Sequence, residues 1–251
     1  IATLQNEINE TIIENAAEEP EIVDLINFLN KAGAKITGLG SKTIKIVGVH
    51  ELRPINHRIM PDRIEAGTYM VASAITRGDI TLQDLSVSDL TSVIFKLREV
   101  GIDITILNQD KLRIKMNSKP LGFKIKTMPY PGFSTDLQSA MLSLACIANG
   151  VSVINETVFE NRFLVVPELI KMGAKITTND RMAIVTGVEE LFSANVVAPD
   201  LRGGAALVLA ALAAKGESEI SSIEIIERGY ENMDKKLQEV GGEIRKVEDC
   251  K

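Results

Sequence analysis

Two short stretches hold most of the side chains with chemistry to offer. Residues 130–138, Tyr-Pro-Gly-Phe-Ser-Thr-Asp-Leu-Gln, put a Pro, a Gly and an Asp in a turn ahead of an apolar run. Ser134 or Thr135 is placed to cap the next helix, with Asp136 in its first turn. Free backbone N–H groups and the positive end of a helix dipole hold a carboxylate at such a place. Residues 155–163, Asn-Glu-Thr-Val-Phe-Glu-Asn-Arg-Phe, carry more charged and amide groups than a plain strand end requires. Further on come Asp200-Leu201-Arg202 and Glu227-Arg228-Gly229-Tyr230, the second equivalent in position to Glu160-Asn161-Arg162-Phe163. Arginines gathered with one or two carboxylates suit an anionic, phosphate-bearing substrate. The same residues also make ordinary helix caps and surface ion pairs, and composition alone does not separate the two readings. No glycine-rich phosphate loop of a familiar type is present, and Gly203-Gly204 reads only as a flexible helix start. His50 and His57 have no metal partners at useful spacing.

The chain that must position these residues has 251 residues, 45% hydrophobic and 25% charged, ordinary for one large or two smaller globular domains. A net charge of −6 argues against nucleic acid as a partner. Cys146 and Cys250 show neither metal spacing nor a disulfide framework. Cys146 reads as a small core residue and Cys250 as exposed. No signal peptide or membrane span is legible, so a soluble, cytoplasmic protein is expected. The sequence opens on Ile1, inside what reads as an uncapped helix from Ile1 to Gln5, and this predicts a part of a longer protein.

An internal repeat gives the organisation. Gly33, Gly101, Gly173 and Gly241 each come after a helical segment and precede an alternating strand, at intervals of 68, 72 and 68 residues. Each glycine fits the residue just past a helix end, where φ is positive. A complete unit starts with an Asp-bearing loop (Asp62, Asp136 or Asp200) and an apolar helix (Ala66 to Thr76, Gln138 to Ala148 or Gly204 to Ala214). Gly78, Gly150 or Gly216 ends that helix. A strand comes next (Ile80 to Leu85, Ser152 to Val158 or Glu219 to Ile225), then an amphipathic helix (Leu90 to Val100, Val166 to Met172 or Tyr230 to Val240) and a two-stranded ribbon. The order is β-α-β-α-β-β, an α/β arrangement. The run 207–214, Leu-Val-Leu-Ala-Ala-Leu-Ala-Ala, has almost no polar face, so it must be buried all round. Three such helices predict a pseudo-threefold domain over 58–251, with the incomplete copy at 1–57 as a unit of another domain. The last copy is expected to hold one ribbon strand, Gly242 to Val247, and to lack its partner strand.

These strings, with Glu-Asn-Ala-Ala-Glu-Glu-Pro-Glu-Ile-Val-Asp (14–24) and Pro-Asp-Arg-Ile-Glu-Ala-Gly-Thr (61–68), closely resemble those of the enolpyruvyl transferases that act on UDP-N-acetylglucosamine. The resemblance runs over nearly the whole chain. It implies an inside-out α/β barrel of six such units in two domains. It implies transfer of enolpyruvate from phosphoenolpyruvate to the 3′-hydroxyl of UDP-N-acetylglucosamine, the first committed step of peptidoglycan synthesis. On that pattern Asp136 binds the sugar hydroxyl and is the candidate general base. Val158 contacts the nucleotide-sugar through its backbone, and Arg228 holds phosphoenolpyruvate. Asp200 and Arg202 line the cleft, and Arg162 lies near it. No metal, no organic cofactor and no membrane are implied. The family's N-terminal half carries a catalytic Cys on a mobile loop, a Lys-Asn pair and a further Arg; none is in this sequence, and neither Cys146 nor Cys250 inherits the role. The chain by itself is therefore expected to be catalytically silent, with the missing N-terminal part as its partner. A different class stays open on the residues alone: a non-catalytic repeat module that binds an anionic ligand or a partner.

Overall fold

In the computed structural model, which describes residues 9–247, the chain divides into two units, Ile1–Pro61 with Pro129–Gly132, and Asp62–Met128 with Phe133–Lys251. The helix expected at Ile1 to Gln5 and the residue Cys250 lie outside the described residues.

The first unit is small. It runs β1 (Glu10–Glu14), α1 (Pro20–Lys31), β2 (Lys35–Thr37) and β3 (Thr43–Val47). Pro20 starts α1, where its missing N–H costs nothing. Ile22, Ile26 and Leu29, at helical spacing, turn one face of α1 onto Ile36, Ile44 and Ile46 of the antiparallel sheet β1-β3-β2. Asp24 on α1 pairs with His57 Nε2 at 3.1 Å, and this fastens the chain after β3 to the helix.

The second unit holds three successive copies. The first is α2 (Arg63–Ile75), β4 (Asp79–Gln83), α3 (Thr91–Glu99), β5 (Asp103–Asn108) and β6 (Lys111–Lys115). The second is β7 (Lys124–Lys126), α4 (Gln138–Cys146), β8 (Val151–Asn155), α5 (Val166–Lys171), β9 (Lys175–Asn179) and β10 (Met182–Thr186). The third is β11 (Leu191–Phe192), β12 (Asn195–Val197), α6 (Leu201–Ala213), β13 (Ala214–Lys215), β14 (Glu219–Ser221), α7 (Glu224–Glu227) and α8 (Met233–Glu239). The sheets are ordered β4-β6-β5 and β7-β8-β10-β9, with paired strands β12-β14 and β11-β13. β7 lies parallel to β8 and β12 parallel to β14, and in each case a central helix makes the crossover that parallel neighbours need.

Helices α2, α4 and α6 touch one another, as their apolar sequences require. Every residue of α4 is buried, as are Gly67 to Ile75 of α2 and Gly203 to Ala210 of α6. Ser143 Oγ donates to the Ala206 carbonyl at 2.7 Å, which satisfies a hydroxyl inside an otherwise apolar contact. Gly203-Gly204 is more than a flexible helix start. A Cβ on Gly204 would sit 2.6 Å from Ile226 Cγ1 and 2.9 Å from Ala198 Cβ, so the missing side chain is what lets α6 pack this closely.

The four repeat glycines have φ of 106°, 100°, 92° and 90°. Each is closed by the same pair of bonds, such as Gly101 N to Arg98 O and Ile102 N to Leu97 O. The residue three before the glycine often ties its helix to the next stretch of chain: Asn30 Nδ2, Arg98 Nη2 and Gln238 Nε2 donate to the carbonyls of Ile36, Ile104 and Ile244.

Several element ends differ from the sequence expectation, among them the strand expected over Ser152 to Val158, which ends at Asn155. At the end of α2 it is Arg77, with φ 55°, that turns the chain, not Gly78. The strand expected over Glu219 to Ile225 stops at Ser221, because Ser222 adopts φ 59° and α7 begins two residues on. Residues 242–247 form no strand, since no second segment among the described residues offers the ladder that strand geometry depends on.

Candidate active site

Asp62, Asp136 and Asp200 look alike in sequence, but their surroundings separate them. Asp62 caps α2, accepting from Ile64 N at 2.7 Å and Glu65 N at 3.1 Å. Asp200 caps α6, accepting from Arg202 N at 2.9 Å and Gly203 N at 2.8 Å. Asp136 caps nothing. Ser134 Oγ takes that role, accepting from Asp136 N at 3.2 Å, and Thr135–Leu137 form a short 3-10 turn ahead of α4. The three acids are therefore not at one repeat position, and the Asp136 carboxylate is not held by backbone N–H groups.

Two guanidinium groups hold it. Arg162 Nη2 reaches Asp136 Oδ1 at 2.6 Å, and Arg202 Nη2 reaches Oδ2 at 3.1 Å. The arginine side chains are only 19% and 15% exposed, against 36% for Asp136, so the carboxylate is the open face of the cluster. Charges this buried must be paired and hydrogen-bonded to be tolerated. Arg202 continues inward: its Nη1 donates to Tyr230 Oη at 3.2 Å, and Tyr230 Oη lies 3.0 Å from Thr68 Oγ1. Thr68 Oγ1 donates to the Ile64 carbonyl, so the Tyr230 hydroxyl is the donor to Thr68. The network links all three copies: Arg202 donates outward to Asp136, beside Arg162, and inward to Tyr230, from which the bonds run on through Thr68 to the α2 backbone. Burial opposes the Arg202 charge, but Tyr230 and Asp136 outweigh it and raise its pKa. Burial raises the Tyr230 pKa and keeps it a neutral phenol, with Arg202 pulling the other way.

The other expected residues differ in their engagement. Val158 is 37% exposed, and its N–H donates to Glu156 Oε1 at 2.8 Å. Any backbone contact from Val158 to a bound hydroxyl must therefore come from its carbonyl. Asp200 is engaged as a cap two residues from Arg202. Arg228 ends α7, exposed, and no bond joins it to the Asp136 cluster. Arg162 also lies over the Phe159 ring, 5.4 Å from its centroid, and its buried Nε has no partner, leaving one donor unspent at the site. Cys146 is buried in α4, where its thiol is pushed up to about 12, and it is no nucleophile. Among the described residues no group of three His, Cys, Asp or Glu could hold a metal ion.

Tyr230, Thr68 and Glu156 were not singled out by sequence reasoning. Tyr230 stood in a string that was read for its arginine, and a Thr at the sixth position of an apolar helix gives no signal. Glu156 had one: an acid in what read as an apolar strand, Ser152 to Val158, which the structure ends at Asn155.

The family model for EPSP synthase (3-phosphoshikimate 1-carboxyvinyltransferase) matches residues 1–237. The UDP-N-acetylglucosamine 1-carboxyvinyltransferase of Geobacter metallireducens is 50% identical over 241 residues, 96% of this chain and 57% of its own length. A protein of the same description from Caldanaerobacter subterraneus is 53% identical over 234 residues, 93% of this chain and 56% of its own length. Among solved structures, the enolpyruvyl transferase NikO from Streptomyces tendae overlays with a TM-score of 0.85 at 25% identity, covering 97% of this chain and 58% of that one. EPSP synthase from Acinetobacter baumannii overlays with a TM-score of 0.72 at 20% identity, over 98% and 59%. The chain spans a little over half the length of the curated relatives it matches.

Proposed function

Because the chain belongs to the EPSP synthase family of enolpyruvyl transferases, we propose that it supplies the base-bearing part of a site that moves enolpyruvate from phosphoenolpyruvate to the 3′-hydroxyl of UDP-N-acetylglucosamine. In that reaction the sugar oxygen bonds to C2 of phosphoenolpyruvate as C3 takes up a proton; C3 then loses a proton as the bond from C2 to the phosphate oxygen breaks, which restores the double bond and releases phosphate. The sugar hydroxyl must give up its proton as its oxygen attacks. Asp136 is the group proposed to take it. The Val158 carbonyl orients the sugar from the neighbouring loop. Arg228, exposed and outside the Asp136 cluster, is the proposed holder of phosphoenolpyruvate. Asp200 and Arg202 line the cleft, with Arg162 beside them. Peptidoglycan precursor synthesis in the cytoplasm is the setting this reading implies.

The observation that carries the reading is the double clasp on Asp136. A half-open carboxylate clasped by two mostly buried arginines combines the proposed base with two guanidiniums suited to an anion. The clasp also constrains the chemistry. Both carboxylate oxygens are occupied by guanidinium N–H groups, so an incoming anion has to draw one arginine away before a sugar hydroxyl can reach Asp136. The test uses a protein of the relatives' full length with phosphoenolpyruvate and either UDP-N-acetylglucosamine or 3-phosphoshikimate. NMR should show vinyl protons on a product ether at the 3′ oxygen of the amino sugar. A vinyl ether on shikimate phosphate only, or on neither acceptor, would refute the substrate assignment.

A further inference from the structure

We infer that Glu156 is the positioning residue of this site: its buried carboxylate fixes the Asp136 turn and the Val158 loop relative to each other. Only 1% of Glu156 is exposed. Four donors converge on it, all neutral. Oε1 accepts from Thr127 Oγ1 at 2.8 Å, Val158 N at 2.8 Å and Phe159 N at 3.0 Å. Oε2 accepts from Thr135 Oγ1 at 2.8 Å. Thr127 lies just past β7, Thr135 adjoins Asp136, and Val158 and Phe159 open the loop that ends in Arg162. One carboxylate therefore ties together three segments, two of which carry the proposed base and its arginine partner. Its own N–H donates to Arg181 O at 2.8 Å, which anchors it to the β9–β10 turn.

The repeat supplies an internal control. The residue directly after the equivalent strand is Asn15, Asp84 or Ser222 in the other copies, with φ of 53°, 57° and 59°. Those are turn residues in the left-handed region, where Asn and Asp are at home. In the copy that holds Asp136 the position is Glu156, and the left-handed residue comes later, at Asn161 with φ 54°. A buried acid costs heavily unless fully hydrogen-bonded, and a plain turn needs none. The departure from the repeat is confined to the copy with the site, as expected where function overrides a local rule.

This inference rests on the assignment of Asp136 as base, so the two are tested side by side in the full-length chain. Thr135→Val removes only the link from Glu156 to the Asp136 turn and adds no bulk. It should lower kcat at saturating substrates by about fivefold or more, the order expected from a small misplacement of a reacting group. It should also raise deuterium uptake across 133–137 and lower Tm, since the buried Glu156 Oε2 loses its donor, so kcat is read on the folded fraction. Glu156→Ala should lower kcat of the folded fraction by about 10²-fold. Glu156→Gln should recover most of that loss, since its amide oxygen can keep the three Oε1 bonds while the Thr135 hydroxyl turns to accept. A merely structural clip would lower Tm in the Glu156 variants and leave kcat at the wild-type value. Wild-type kcat and uptake in Thr135→Val would overturn the inference. Retained turnover in a parallel Asp136→Asn sample would instead overturn the base assignment, and the uptake of 133–137 would still show whether Glu156 fixes that turn.

Discussion

Three aspartates that one sequence pattern groups together have two different jobs. Asp62 and Asp200 spend a carboxylate oxygen on helix N–H groups, and Asp136 spends both of its oxygens on arginines. The sequence distinguished Asp136 by its Pro-Gly-Phe-Ser-Thr lead-in, and Ser134 proves to be the part of that lead-in that frees it from capping. What no spacing rule could reveal was the pairing: Arg162, 26 residues on, reaches the acid by the fold of its own copy, and Arg202, 66 residues on, only through the packing of the third copy against the second. Asp136→Asn keeps shape and most hydrogen bonding but cannot take a proton. In the full-length protein it should lower kcat by roughly 10²-fold or more, the usual scale for a lost general base. A steady-state phosphate-release assay reads this directly, and near-normal turnover would reduce Asp136 to a binding residue.

At the scale of elements, the repeat was legible because each copy punctuates itself. Four glycines with φ near 100° end four helices in the same way. The apolar central helices announced their burial, since a helix without a polar face has nowhere else to go. Element ends were less legible. Ser222 and Arg77 take positive φ without being glycine, and residues 242–247 read as a strand from alternation that only a partner ladder could realise. Gly203-Gly204 was underrated because close packing against Ala198 and Ile226 is a tertiary fact. These elements give a paired stability test by urea denaturation. Gly204→Ala should destabilise by about 1–3 kcal/mol, because the new methyl meets packed side chains at both contacts. Asp62→Ala should cost on the order of 1 kcal/mol, the loss of one cap. A neutral Gly204→Ala would mean that α6 and α7 have room the structure does not show.

At the scale of the molecule, the second unit carries the proposed base, the two arginines that clasp it and the residues that hold them. The proposed reaction also calls for an acid for the enol carbon and further cations for phosphoenolpyruvate, and the resemblance places these in a segment this sequence does not contain. The central claim is therefore a division of labour: a complete base subsite here, with chemistry that needs the rest of a chain as long as the relatives. The most direct measurement is phosphate release from phosphoenolpyruvate in the presence of UDP-N-acetylglucosamine, by this chain alone and by the full-length protein. The division predicts no release above background from this chain and sustained turnover from the longer one. Turnover by this chain, purified free of any longer form, would contradict it.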